Sequence, residues 1–259
     1  MIFHMSNNKR VRNRGTQINK KKSLVIFAIV LLAAIIGIAM TSSSSFLKST
    51  SSTNFSHNQQ EQKPASYPIT QKLSDPSIYT APPLGSSAAK VTLIEFGDYQ
   101  CTYCHRFHID IKGSILKNFV NTGKIKFLFK DFPINDLPAD RASTLAAEAS
   151  YCAADQGKYW QYHDELYNNW KGENTGWVTK NSLEQFANNT GVKNINQFSL
   201  CIESGKYAGV VADNFKLAES IGLNATPSFV LLRNGKQPLE IVGAQPYSVF
   251  ENAINQLNL

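Results

Sequence analysis

The sequence predicts an α/β fold whose elements run β-α-β, then a helical insertion, then β-β-α. Three observations predict it. A short apolar run of β-formers at residues 91–96 passes through Gly97-Asp98 into a segment with apolar residues at helical spacing, and a second apolar run follows. A long stretch rich in Ala and aromatics then separates this unit from the rest. After Pro227 the pattern returns to two apolar runs joined by Asn234-Gly235, a strong hairpin signal.

Each element has its own justification. Val91, Leu93, Ile94 and Phe96 have the length and composition of a buried strand. The segment after it opens with Cys101 and Cys104, two residues apart, and continues with Phe107, Ile111, Ile115, Leu116 and Phe119 on one helical face. A strand that breaks at Gly97-Asp98 delivers Cys101 to the first turn of that helix. There the macrodipole is positive and unpaired backbone N–H groups point at the sulfur. That environment favours thiolate, the species that attacks disulfides. Cys104, one turn further in, reaches the same sulfur, so the pair reads as a redox switch. Gly123 and the run 125–132, closed by Pro133, complete a strand–helix–strand unit with parallel strands and a right-handed crossover. Helices are expected at 139–154 with Cys152, 159–170, 181–188, 195–204 with Cys201, and 207–221, punctuated by Gly157, Gly172, Gly176, Gly191 and Gly205. Strands at 228–233 and 239–243 follow, and Val249, Phe250, Ile254 and Leu257 mark a closing amphipathic helix at 246–257.

Other chemistries fit the C-x-x-C less well. Cys101-Thr-Tyr-Cys104-His105 satisfies the c-type haem attachment pattern. Every Met (Met1, Met5, Met40), however, lies upstream of the motif, which removes the common axial ligand. A zinc site using His105 or His108 would need a second ligand pair, and Cys152 and Cys201 stand alone in their segments. A purely structural disulfide closing so short a loop would gain little and strain easily. The redox pair is the preferred reading, with no metal and no cofactor.

The chain begins differently. Residues 1–23 carry Lys9, Arg10, Arg12, Arg14, Lys20, Lys21 and Lys22 and no acidic residue, and residues 24–40 are apolar throughout. As a helix rising about 1.5 Å per residue, the apolar run spans about 26 Å. With Ser23 and residues 41–43 in the interface it crosses a hydrocarbon core of about 30 Å. The basic flank predicts a cytoplasmic N-terminus and an extracytoplasmic remainder. A cleaved signal peptide is the rival, but Ile38-Ala39-Met40 is a poor cleavage site and an uncleaved signal anchor is expected. The formal charge of +7 comes entirely from this terminus, because 19 of the 26 basic residues lie beyond it with all 19 acidic ones. The charge is therefore a topology signal, and nucleic-acid binding has no support. Residues 41–78 read as a flexible Ser/Thr-rich stalk with a reach of roughly 30–35 Å. It carries a glycosylation sequon at Asn54. Residues 79–259, some 180 in all, are a normal single-domain size, with the helical insert at about 138–222.

The motif Glu95-Phe-Gly-Asp-Tyr-Gln-Cys-Thr-Tyr-Cys, the later Cys152-Ala-Ala-Asp-Gln-Gly-Lys-Tyr-Trp-x-x-His, and Gly222-x-x-x-Thr-Pro227 resemble the DsbA-like thiol:disulfide oxidoreductases. That family has a thioredoxin fold interrupted by a helical domain, and the resemblance covers roughly the whole domain after Thr80. It implies that Cys101 is the exposed nucleophile and Cys104 the buried resolving partner. It implies that Pro227 is a cis-proline beside the pair, excluding metal from it, and that the backbone of Thr226 pairs with an extended substrate. It also implies that Glu95 is a buried carboxylate relaying protons to Cys104; the plainer reading of Glu95 is a solvent-reaching residue at a strand end. The best-studied members carry Pro-His between the cysteines, where this chain has Thr102-Tyr103. With no histidine inside the turn, a less acidic Cys101 and a weaker oxidant are expected. His105 could supply part of the missing charge if its ring turned back to the sulfur. Thr102, Tyr103 and His105 are thus the candidate residues lining the substrate site beside Thr226.

Cys152 and Cys201 both fall in the insert of an exported protein, where thiols tend to be oxidised. A second, structural disulfide between them is expected, against the alternative of two buried free cysteines. Tyr159, Trp160, Tyr162, Tyr167 and Trp170 read as core, and His163 as a packed or capping residue. The resulting expectation is a membrane-anchored, monomeric disulfide oxidase acting on unfolded exported proteins. It would be reoxidised by a quinone-linked membrane partner, DsbB-like or vitamin K epoxide reductase-like. The alternatives are a reductase or isomerase using the same pair, and a non-enzymatic peptide-binding or chaperone module.

Overall fold

Val91–Gly97 forms β1, and all seven of its residues are buried. A strand covered on both faces belongs in the middle of a sheet, and the computed structural model, which describes Leu73 and residues 81–258, places it there. The sheet order is β2-β1-β3-β4, with β2 at Ile125–Asp131, β3 at Ser228–Arg233 and β4 at Leu239–Val242. β1 pairs in parallel with β2 and antiparallel with β3, and β3 pairs antiparallel with β4. This is the expected β-α-β…β-β pattern.

The helix after β1, here α1, spans residues 102–120. It is α-helical at Thr102–Phe107 and Gly113–Ile115, with π-turns at His108–Lys112 and Leu116–Val120. Its core residues Phe107, Ile111, Ile115 and Phe119 recur every four positions and are all buried. A regular helix at about 3.6 residues per turn would rotate such a set off the sheet. The wider π-turns keep it in line. These residues pack with Phe127, Phe229, Phe250 and Ile254 on one face of the sheet. On the other face Ile94, Phe96, Leu128, Val230 and Leu232 meet Ala218 and Leu223.

Five helices make the insert: α2 (Ala142–Ala154), α3 (Tyr159–Asn168), α4 (Lys180–Asn189), α5 (Ile195–Glu203) and α6 (Ala208–Ser220). The closing helix α7 is Tyr247–Asn258. α2 starts three residues later than its composition suggests. The side chains of Asp136 and Asp140 accept hydrogen bonds from the Ala142, Ser143 and Thr144 amides, and Arg141 adopts a left-handed conformation (φ 47°). α4 begins on a capping box between Thr179 and Ser182. α3 ends at Asn168, which frees Trp170 to turn toward Gln100, just after β1. The β3–β4 connection is longer than the two-residue turn that Asn234-Gly235 suggests. Tyr159, Tyr162 and Tyr167 are fully buried core. Cys152 on α2 and Cys201 on α5 form a disulfide (Cα–Cα 5.8 Å).

Residues 81–84 do something the sequence did not signal. Leu84 exchanges backbone hydrogen bonds with Phe127 (2.9 Å each way), and the Ala81 amide reaches the Phe129 carbonyl, so this segment covers the outer edge of β2. The expected cytoplasmic segment 1–23, membrane helix 24–40 and, apart from Leu73, the stalk 41–78 lie outside the described residues. Among the described residues no helix is long and apolar enough to cross a membrane.

Candidate active site

The site forms where β1 ends. Asp98, 1 % exposed, folds the chain into the turn: its carboxylate accepts from the Gln100 and Asn135 amides (2.8 Å each). Burial, opposed by these hydrogen bonds, raises its pKa to about 6. The turn places Cys101 at the N-cap of α1 and Cys104 one turn inside, both as free thiols. From across the sheet, the segment before β3 brings Thr226 and Pro227, joined by a cis peptide bond. The Cys101 thiol donates to the Thr226 carbonyl at 3.3 Å, which brings the residue before Pro227 against the first sulfur.

One expectation needs correcting. Cys101 is not an exposed nucleophile: its residue is only 4 % accessible, because the Thr226 carbonyl and the turn cover it. The exposed groups beside it are Thr102 and Tyr103, the latter 57 % accessible.

The two sulfurs differ strongly. The hydrogen bond from Cys104, opposed by partial burial and aided by the Cys104 and Tyr103 backbone amides, lowers the Cys101 pKa to about 7. Cys104 is pushed well above the ordinary thiol range by burial, by its hydrogen bond to Cys101 and by the charges of Cys101 and Glu95. Its sulfur accepts from the Asp98 amide at 3.4 Å. Cys101 is thus the sulfur that carries negative charge near neutrality, and Cys104 the one that holds its proton.

Glu95 lies beneath the pair, 1 % exposed, and is not the solvent-reaching residue that its strand-end position allows. Burial raises its pKa to about 8, opposed by Lys112 and reinforced by Cys101. The sign for stability follows. A carboxyl whose folded pKa lies above its unfolded value near 4.5 stabilises the protein fully below pH 4.5. That stability is lost as pH rises toward 8. At about 1.36 kcal/mol per unit, Glu95→Gln should be more stable than the parent by on the order of 3 kcal/mol at pH 7. The difference should fade toward pH 4.5. Urea titrations at the two pH values test this, and equal stability at pH 7 would refute the buried-charge account.

His105 does not turn to the sulfur. Its ring stacks on Trp170 (centroids 4.6 Å apart, 13° between planes), and burial lowers its pKa. It is neutral at pH 7 and adds no charge to Cys101. Deeper in α1, the Lys112 ammonium lies 2.5 Å from Asp164 Oδ1, 3.4 Å from His163 Nδ1 and 3.5 Å from His108 Nδ1. The ligand atoms of these two histidines and Asp164 cluster within 4.8 Å, and the lysine occupies their centre as an internal cation. Burial lowers His163 to about 3 and His108 to about 4, so neither ring adds charge near pH 7. His163 is packed against Phe129, Tyr99, Trp160 and Tyr167.

The part of the insert that grips the turn carries no motif of its own. Trp170 Nε1 donates to the Gln100 carbonyl (2.8 Å), the Asn174 amide donates to Gln100 Oε1 (3.2 Å), and Glu173 Oε1 accepts from the Thr102 amide (2.8 Å). The Gly172 and Gly176 in this loop, both with positive φ, were the only sequence signal that the chain bends sharply here.

A parallel–antiparallel four-stranded sheet, a C-x-x-C at the mouth of its first helix and a cis Thr226–Pro227 segment whose Thr226 carbonyl faces the first sulfur define a thiol:disulfide oxidoreductase of the thioredoxin superfamily. The family model described as Thioredoxin matches residues 78–255, and the chain belongs to that family as a DsbA-like member. Disulfide bond formation protein D of Bacillus subtilis (strain 168) is 32% identical over 155 residues, covering 59% of this chain and 68% of that protein. The crystal structure of oxidised BdbD from Bacillus subtilis aligns with a TM-score of 0.61 at 27% identity, over 68% of this chain and 92% of that one. Wolbachia pipientis alpha-DsbA1, at 24% identity and a TM-score of 0.62 over 73% and 95%, shares the fold.

Proposed function

We propose that this protein is a membrane-anchored, extracytoplasmic disulfide oxidase that introduces disulfides into exported proteins. The observation that carries the proposal is the asymmetry of the two sulfurs: Cys101 acidic and facing the Thr226 carbonyl, Cys104 buried and proton-retaining. With the pair oxidised, a client thiolate attacks Cys101 Sγ. The Cys101–Cys104 bond breaks, and Cys104 leaves and takes up a proton, for which the raised Glu95 carboxyl is a nearby donor. A second client thiolate then attacks the client sulfur of the mixed disulfide, and Cys101 departs as its stable thiolate. Two electrons have moved from client to pair. An extended client segment lies along the Thr226–Pro227 backbone, with Thr102, Tyr103 and His105 on its other side. The names of the similar Bacillus proteins, disulfide bond formation proteins, agree with this direction of flow.

The anchor is the apolar segment 24–40, with residues 1–23 in the cytoplasm and the stalk 41–78 outside. Such an anchor would hold the domain near a quinone-linked membrane thiol oxidase that removes the two electrons. Equilibration with glutathione buffers tests the direction. A potential well above thioredoxin's value of about −270 mV, with oxidation of a reduced multi-disulfide client by the oxidised protein, is expected. A potential at or below that value would assign the pair to reduction instead. Client holding with no change in the redox state of Cys101 and Cys104 would leave only peptide binding.

A further inference from the structure

The helix that presents Cys101 begins with three backbone amides free of intrahelical partners, those of Thr102, Tyr103 and Cys104. Two of them, Tyr103 and Cys104, support the negative charge on the Cys101 sulfur. The third does not. The Thr102 amide donates to Glu173 Oε1 at 2.8 Å, across a sequence separation of 71 residues. Glu173 is exposed, yet its loop is pinned from both sides by Trp170 on Gln100, by His105 on Trp170 and by Asn174 on Gln100. The carboxylate is therefore delivered to the turn by a scaffold and is not a side chain that happens to lie nearby.

We propose that Glu173 is a positioning residue for the redox pair: its carboxylate, held on the first amide of the helix that carries Cys101, sets a negative charge at that positive helix end, and so holds the pair at a more reducing poise than the turn alone would give. The inference rests on the thiol–disulfide reading above and deepens it, because it assigns the insert a direct hand in the potential. The logic is electrostatic. A negative charge beside a thiolate disfavours it, and whatever disfavours the thiolate disfavours the reduced state, lowering the potential. The groups on the elements meeting at the turn are Cys104 and His105 on α1, Glu95 and Asp98 on and after β1, and Lys171 and Glu173 on the loop; the Thr226–Pro227 segment brings no charge. Of these, Glu173 is the one carboxylate hydrogen-bonded to the helix start. His105, neutral at pH 7, does not offset it.

Glu173→Gln is the deciding variant, since it keeps an acceptor oxygen for the Thr102 amide and removes only the charge. Cys101 should then titrate about 0.5–1 unit lower, read by thiolate absorbance or by the pH profile of alkylation. The equilibrium of the pair with glutathione follows. In that reaction two glutathiones reduce the Cys101–Cys104 disulfide to the dithiol and become one glutathione disulfide, with atoms and electrons balanced. Its constant should move about threefold toward dithiol, about 14 mV at 29.6 mV per tenfold. Thr102→Pro removes the amide donor at a helix position that tolerates proline. In that background Glu173→Gln should shift Cys101 by less than half as much. An unchanged or raised Cys101 pKa in Glu173→Gln would overturn the inference, as would a full-sized shift in the Thr102→Pro background. A parent protein that fails to equilibrate with glutathione would instead overturn the redox reading, while the Cys101 titration still reports the Glu173 charge.

Discussion

Replacing Cys104 with Ala should abolish oxidation of reduced clients yet leave Cys101 able to trap a client disulfide, whereas replacing Cys101 with Ala should abolish both. The prediction follows from where charge settles. Cys101 is lowered to about 7 and faces the Thr226 carbonyl, so it is the sulfur expected to join a client. Cys104 is 0 % exposed and is held protonated by burial, so its task is to close the ring with Cys101 from inside. Without Cys104 there is no disulfide to pass on, so oxidation of reduced clients is lost completely. The Cys101 thiolate can still attack a client that already carries a disulfide, one client sulfur leaving as thiolate, and with no internal attacker these mixed disulfides should accumulate as reductant-sensitive bands. Without Cys101 no adduct should form, because Cys104 does not reach the client. Equal trapping by both variants would contradict the assignment of roles to the two sulfurs.

Removing the second pair of cysteines should affect stability rather than exchange. Cys152 and Cys201 join α2 to α5 across a sequence separation of 49 residues. On the chain-entropy account, opening a loop of that size costs about 4 kcal/mol. The double Cys152→Ala, Cys201→Ala variant should accordingly lose about 4 kcal/mol in urea titrations, with a steeper slope because the denatured chain is no longer cross-linked. Its stability should also become insensitive to reductant at these positions, while its Cys101–Cys104 pair still equilibrates with glutathione. A loss below about 1 kcal/mol would mean that the insert's core, Tyr162, Leu166, Phe198 and their neighbours, holds α2 and α5 together without the bond.

Much of this was readable in the chain. The element order, the parallel β1–β2 pair and the hairpin after Pro227 follow from local patterns, and the placing of Glu95 beneath Cys101 and Cys104 from a family resemblance. What was not readable lies at long range. The apolar spacing of α1 shows which face packs on the sheet. It gives no reason to bury Lys112, whose ammonium is stabilised by Asp164 more than 50 residues away. Nor does a loop reading Lys171-Gly-Glu-Asn-Thr-Gly announce that its glutamate ends on the amide of Thr102.

The sequence by itself determined which sulfur chemistry is available: a strand of β-formers, a break and two cysteines one helical turn apart put a thiol at a positive helix end whatever else the chain does. Tertiary structure alone decided how that thiol is covered and charged. The Thr226 carbonyl reaches the sulfur from 125 residues away, and the Glu173 carboxylate reaches the amide of Thr102 from 71 residues away. Electrostatic influence falls off with distance in space, and distance along the chain does not reveal it.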